Sequence, residues 1–159
     1  MSKKDIRQLL KNAKYCKNGT FKCFLALSDK VGVKIMPSKL NRDENYMYQN
    51  RASKFNLGPN CWGKFYITIN NVKWYGYFTE IVDTDYDYTN KEIKNLIQNL
   101  FDKTGFDLNW DAFDRNFGRK NGVLVCVDFD HQDTKCICIS SAMKRPVSPN
   151  SLRLQSYIR

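Results

Sequence analysis

Apolar positions along the chain recur with two different periods, and the switches between them divide it into elements. Residues 63–70 (Gly-Lys-Phe-Tyr-Ile-Thr-Ile-Asn) and 72–82 (Val-Lys-Trp-Tyr-Gly-Tyr-Phe-Thr-Glu-Ile-Val) are rich in β-branched and aromatic side chains. They predict two strands, with Asn70-Asn71 as the hairpin turn. Residues 20–27 and 31–36 predict an earlier pair of strands around the turn Ser28-Asp29-Lys30. Helical spacing takes over at 90–103, where Ile93, Leu96, Ile97 and Leu100 share one face. It recurs at 3–15, with Ile6, Leu9, Leu10 and Ala13 aligned. Residues 43–55 contain an Asp start signal and few breakers, which predicts a further helix. After Asn116 come a short glycine-containing turn, an apolar strand over 123–127, and then Asp128-Phe129. Residues 134–141 predict one more strand, and the Pro146 and Pro149 region an irregular tail. The sum is an α+β chain, with an antiparallel sheet early and helices later.

Composition narrows this picture. A chain of 159 residues with 42% hydrophobic positions supports one domain with a real core. Its 14% aromatic content favours strands over a plain helical bundle. No apolar run approaches the roughly 18–20 residues of a membrane helix. The basic N-terminus has no apolar signal region, so no membrane partner and a cytoplasmic location are expected. Six cysteines, several inside strand-like runs, are expected as reduced, buried thiols. A zinc site from Cys136, Cys138 and His131 would lack a fourth ligand.

The net charge of +10 comes from residues 1–22 and 131–159; the residues between them balance to zero. Basic ends of this kind suit acidic partners, including nucleic acid. The aromatic residues, however, fall in the predicted strands rather than among these lysines and arginines.

One stretch suggests a chemistry. Residues 110–130 place Asp111 five positions before Asn116, with Asp128 beyond the turn and strand. A carboxylate can accept a proton from an attacking hydroxyl, and a neutral amide oxygen with a second carboxylate can hold Mg²⁺ between phosphates. This spacing resembles the phosphoryl-transfer half of a protein-kinase site. More narrowly, it is similar to small kinase-like proteins encoded by bacteriophages.

The resemblance covers about residues 19–130. It implies a protein-kinase-like fold whose N-terminal antiparallel sheet carries one helix and whose C-terminal helical part is reduced. Residues 1–159 would then form a single domain. Residues 1–18 would be a basic helix or arm, 19–82 the N-lobe-like part, 83–130 the reduced C-lobe, and 131–159 a basic strand and tail. The resemblance also implies ATP and Mg²⁺ as cofactors. Asp111 would be the residue facing the hydroxyl, and Asn116 and Asp128 the metal ligands.

Val31-Gly-Val-Lys34-Ile resembles the strand whose lysine reaches the α- and β-phosphates. Glu44 would be the acidic partner of Lys34 on the next helix. Gly19 would stand in the phosphate-covering loop. Glu80 and Val82 would offer backbone groups to adenine, with Phe78 facing the pocket. The chain departs from the family in several places. Gly19 is the only glycine in that loop, Phe113 replaces a histidine, Asp130 replaces the glycine after Asp-Phe, and no Ala-Pro-Glu follows.

Three functions follow as expectations. The first is a minimal ATP-dependent phosphotransferase acting on a host protein. The second is a kinase-like protein that binds a host protein without turnover. The third is a nucleic-acid binder working through its basic ends.

Overall fold

The computed structural model describes residues 4, 8, 15–18, 23–69, 71–84, 87–108 and 116–129. Among these, seven strands and two long helices are arranged as an antiparallel sheet, a helical layer and a separate hairpin. The strands are β1 (Tyr15–Asn18), β2 (Cys23–Ala26), β3 (Val31–Met36), β4 (Cys61–Ile69), β5 (Val72–Glu80), β6 (Phe117–Lys120) and β7 (Val123–Cys126). The helices are α1 (Lys39–Lys54) and α2 (Asn90–Thr104). No helix among the described residues is long and apolar enough to cross a membrane.

The sheet order is β1-β2-β3-β5-β4, and every pairing is antiparallel. β3 therefore occupies the middle, hydrogen-bonded to a strand on each side. Its register puts Lys34 opposite Phe24 on one flank and Tyr77 on the other. Alternation then divides the side chains between two faces. Gly32, Lys34 and Met36 share a face with Tyr75, Tyr77 and Thr79. Leu25, Val33, Ile35, Ile67, Trp74 and Phe78 share the other face and are buried.

Gly76 lets β3 and β5 approach. A Cβ there would lie 2.6 Å from the Lys34 carbonyl oxygen and 2.7 Å from the Phe65 ring. Ser28 closes the turn between β2 and β3, its Oγ accepting from the amides of Lys30 and Val31.

α1 crosses the Lys34 face. Ser38 caps it, its Oγ accepting from the Asn41 amide at 3.3 Å. The helix therefore starts at Lys39, before the expected Asp43, and no acidic residue lies in its first turn. It stops where Asn56 takes a positive φ of 57° and Leu57 N–H returns to the Ala52 carbonyl.

α2 carries a capping box between Thr89 and Glu92 and ends on Gly105 in the left-handed region. Its apolar face meets α1 and the β6–β7 hairpin. Ala52, Leu57, Leu96, Leu100, Phe106, Leu108, Phe117, Leu124, Cys126 and Phe129 form this core.

Several expectations change. The segment 15–18 is a strand paired with β2, so Tyr15 does not end a helix. Lys4 and Gln8 are helical and exposed; the rest of the segment expected to be helical lies outside the described residues. Gly118 is a strand residue, and the hairpin turn is Asn121-Gly122, with φ of 51° and 79°. β4 begins at Cys61, two residues early, and β5 ends at Glu80. The expected strand at 134–141, the tail, and Cys136, Cys138 and His131 lie outside the described residues. Cys61 is a free thiol, and Cys126 is buried with its Sγ donating to the Asp128 carbonyl at 3.1 Å.

Candidate functional site

Lys34 is the centre of a buried polar cluster. Its position on β3 aims it at α1, and only 5% of the residue is exposed. Its Nζ donates to Gln49 Oε1 at 2.9 Å and to the Val127 carbonyl at 2.6 Å. The rings of Tyr77 and Phe129 stand 5.8 and 6.0 Å from the ammonium. A buried ammonium needs such partners, because desolvation penalises its charged form heavily.

Gln49 is fully buried on α1. Its Oε1 also accepts from the Tyr77 hydroxyl at 2.9 Å. Its Nε2 donates to Thr79 Oγ1 at 2.7 Å and to the Pro59 carbonyl at 3.2 Å. The amide orientation follows from these neighbours: Lys34 has only donors, so the amide must offer it oxygen.

The hairpin supplies the other side. Val127 N–H donates to the Asn116 carbonyl at 2.8 Å, immediately before Phe117 pairs with Cys126. Asn116 and Asp128 therefore flank the same backbone bond, and the Val127 carbonyl carries the lysine. Phe129 turns inward against Phe106, with ring centroids 5.2 Å apart. It also fits against Gly58, where a Cβ would lie 2.9 Å from its ring. The Cys126 amide donates to the Leu57 carbonyl, which ties the hairpin to the end of α1.

The structure brings together Lys34, Asn116 and the Asp128 segment, three residues singled out in the sequence. Other expectations are corrected. The α1 partner of Lys34 is Gln49 rather than Glu44. Five residues separate these two positions, which puts Glu44 about 140° around the helix. Phe78 faces away from Lys34, stacking on Trp62 at 6.1 Å; Tyr77 is the β5 residue opposite the lysine.

The Glu80 N–H bonds to the Asn60 carbonyl, and its carboxylate pairs with Lys120 at 3.0 Å. The Val82 side chain lies against Gly118, where a Cβ would come within 2.7 Å of it. The neighbouring Asp83 carbonyl accepts from Arg119 N–H at 2.6 Å, so the segment after β5 is laced to the hairpin. Asp111 and Gly19 lie outside the described residues; β1 and β2 flank the segment that holds Gly19.

Gln49, Tyr77 and Thr79 are the site residues that sequence reasoning missed. Gln49 belongs to the buried stripe Arg42, Asn45, Gln49 and Ala52, whose polar residues carry no apolar periodicity in the sequence. The apolar Leu40 and Phe55, at the helix's two ends, are exposed. Nearby, burial pushes the Cys61 thiol up to about 11, against the opposing pull of the Lys34 charge. No group of three or more His, Cys, Asp or Glu side chains suited to a metal occurs among the described residues. Comparisons with protein-family models, with curated proteins and with solved structures found no match.

Proposed function

We propose that the chain is a minimal kinase-like phosphotransferase that binds Mg-ATP beside Lys34 and passes the terminal phosphoryl group to a host protein. The supporting observation is the Lys34 Nζ to Val127 carbonyl bond, which spans 93 positions of sequence. It joins the two segments that the kinase resemblance pairs, the strand lysine and the Asp-Phe after the hairpin.

The donor set suits Mg²⁺ in kind. Asn116 and Asp128 are hard oxygen donors just outside the paired ends of β6 and β7, and Mg²⁺ completes its shell with water and phosphate oxygens. Few protein ligands are needed, so a three-residue cluster is not a requirement. Asp111 would take the acceptor hydroxyl's proton.

A second reading, nucleotide binding without turnover, is favoured by one observation. Protein kinases pair the strand lysine with a helix glutamate, and the helix partner here is the neutral Gln49.

Transfer of labelled phosphate from ATP, in extracts of the host and to the chain itself, tests the first reading. Label should appear with Mg²⁺ and vanish in Asp111→Asn. Mg-ATP binding with no transfer to any acceptor would favour the second reading.

A further inference from the structure

Three of the four buried residues of α1, Arg42, Asn45 and Gln49, are polar, whereas helices docked on sheets normally bury an apolar stripe. Two of its residues, seven apart and so on nearly the same face, tie the helix to the sheet. Arg42 Nη1 donates to the carbonyls of Phe65 at 2.7 Å and Gly76 at 3.3 Å, and its Nε to Asp43. Gln49 reaches β3, β5 and the Pro59 loop at once. An amide offers two donor hydrogens and two acceptor lone pairs, and Gln49 has four partners. Rocking α1 away would strand several buried donors and acceptors together, each of which is costly to leave unmade.

The Pro59 carbonyl also explains the residue type. A glutamate at position 49 would set an oxygen against that carbonyl, where the amide sets a hydrogen. In protein kinases the lysine–glutamate ion pair is made or lost with the position of this helix, and that movement controls activity. Here the helix contributes no charge to the lysine, and its docking bonds run to the sheet and the following loop.

We infer that Gln49 is the positioning residue for Lys34 and that it fixes the lysine before any ligand arrives. The phosphate-binding site then stands permanently assembled, with no switch in the position of α1. This inference rests on the nucleotide reading above and adds its mode of regulation.

Hydrogen exchange on the full chain, with and without saturating Mg-ATP, tests it together with two variants. In the wild type, amides of residues 45–52 are expected to exchange slowly without ligand, and to change by less than about twofold when Mg-ATP binds. Gln49→Met keeps the length and removes the acceptor. It is expected to speed these amides and to weaken Mg-ATP binding, each by about tenfold or more. Gln49→Glu keeps an oxygen towards Lys34 but sets another against the Pro59 carbonyl, and is expected to speed the amides of residues 45–52 while weakening Mg-ATP binding less than Gln49→Met does.

Protection of α1 that rises about tenfold on Mg-ATP addition would overturn the inference, because the ligand would then be docking the helix. Wild-type exchange or binding in Gln49→Met would overturn it as well. If Gln49→Met does not fold, wild-type exchange of residues 45–52 in Gln49→Glu would overturn the inference, because breaking the Pro59 bond would then leave α1 docked. Absence of nucleotide binding by the wild type would instead remove the proposed function. Exchange of the unliganded proteins would still decide whether Gln49 docks α1.

Discussion

Lys34 combines two roles that pull against each other. It is buried enough to need its partners, yet the proposed chemistry needs its charge at the edge of a phosphate site. The Lys34→Met variant separates them. It leaves the Val127 carbonyl and Gln49 Oε1 one donor short. The expected cost is about 1–3 kcal/mol, read from the urea midpoint. The folded variant should also lose stabilisation by Mg-ATP. Unchanged stability would mean that the two hydrogen bonds contribute nothing net. Lys34 was legible because a Val-Gly-Val-Lys-Ile strand after a turn is a recognisable pattern. Gln49 was not, because its role depends on which way a helix faces, and a buried amide carries no periodic signal. Glu44 was the natural choice of partner for a cation, but helix geometry overrules charge here.

At the scale of elements, the strongly periodic segments were read well. β3 matches the expected 31–36, and α2 extends the expected 90–103 by one residue, because each has one apolar face. α1 was found but started late, since Ser38 rather than Asp43 caps it. β1 was missed because Tyr-Cys-Lys-Asn offers too short a run to show alternation.

The caps of α2 give two predictions. Thr89→Ala removes the capping hydroxyl and is expected to cost about 1 kcal/mol in urea unfolding. Glu92 is held below the ordinary glutamate range, first by the hydrogen bond from Arg119, which ties α2 to the hairpin. A depressed carboxyl contributes stability above its unfolded pKa and loses it as pH falls through the folded value. The wild type should therefore exceed Glu92→Gln in urea midpoint near about pH 6, and the two should converge towards about pH 3. A gap that widens on acidification would contradict the assignment.

For the whole molecule, connectivity between distant segments is what sequence could only partly supply. The motif spacing suggested that Lys34, Asn116 and Asp128 belong together. Burial of a sheet face, a helix stripe and a hairpin base brings them to one place. The contribution of Asp111 and Gly19 rests on the resemblance alone. The hairpin is joined to the sheet by Lys34 and by Lys120 with Glu80, and to the end of α1 by Leu57 and Cys126. A ligand beside Lys34 would therefore stabilise both parts together.

Thermal unfolding with and without Mg-ATP, on the wild type and on Asp128→Ala, measures this directly. At about 100-fold excess over its dissociation constant, a ligand of the folded state adds roughly 2.7 kcal/mol. That should raise the midpoint by several degrees. A nucleotide site that includes Asp128 predicts a magnesium-dependent rise in the wild type that Asp128→Ala abolishes. No shift at millimolar Mg-ATP, or an equal shift in Asp128→Ala, would contradict it.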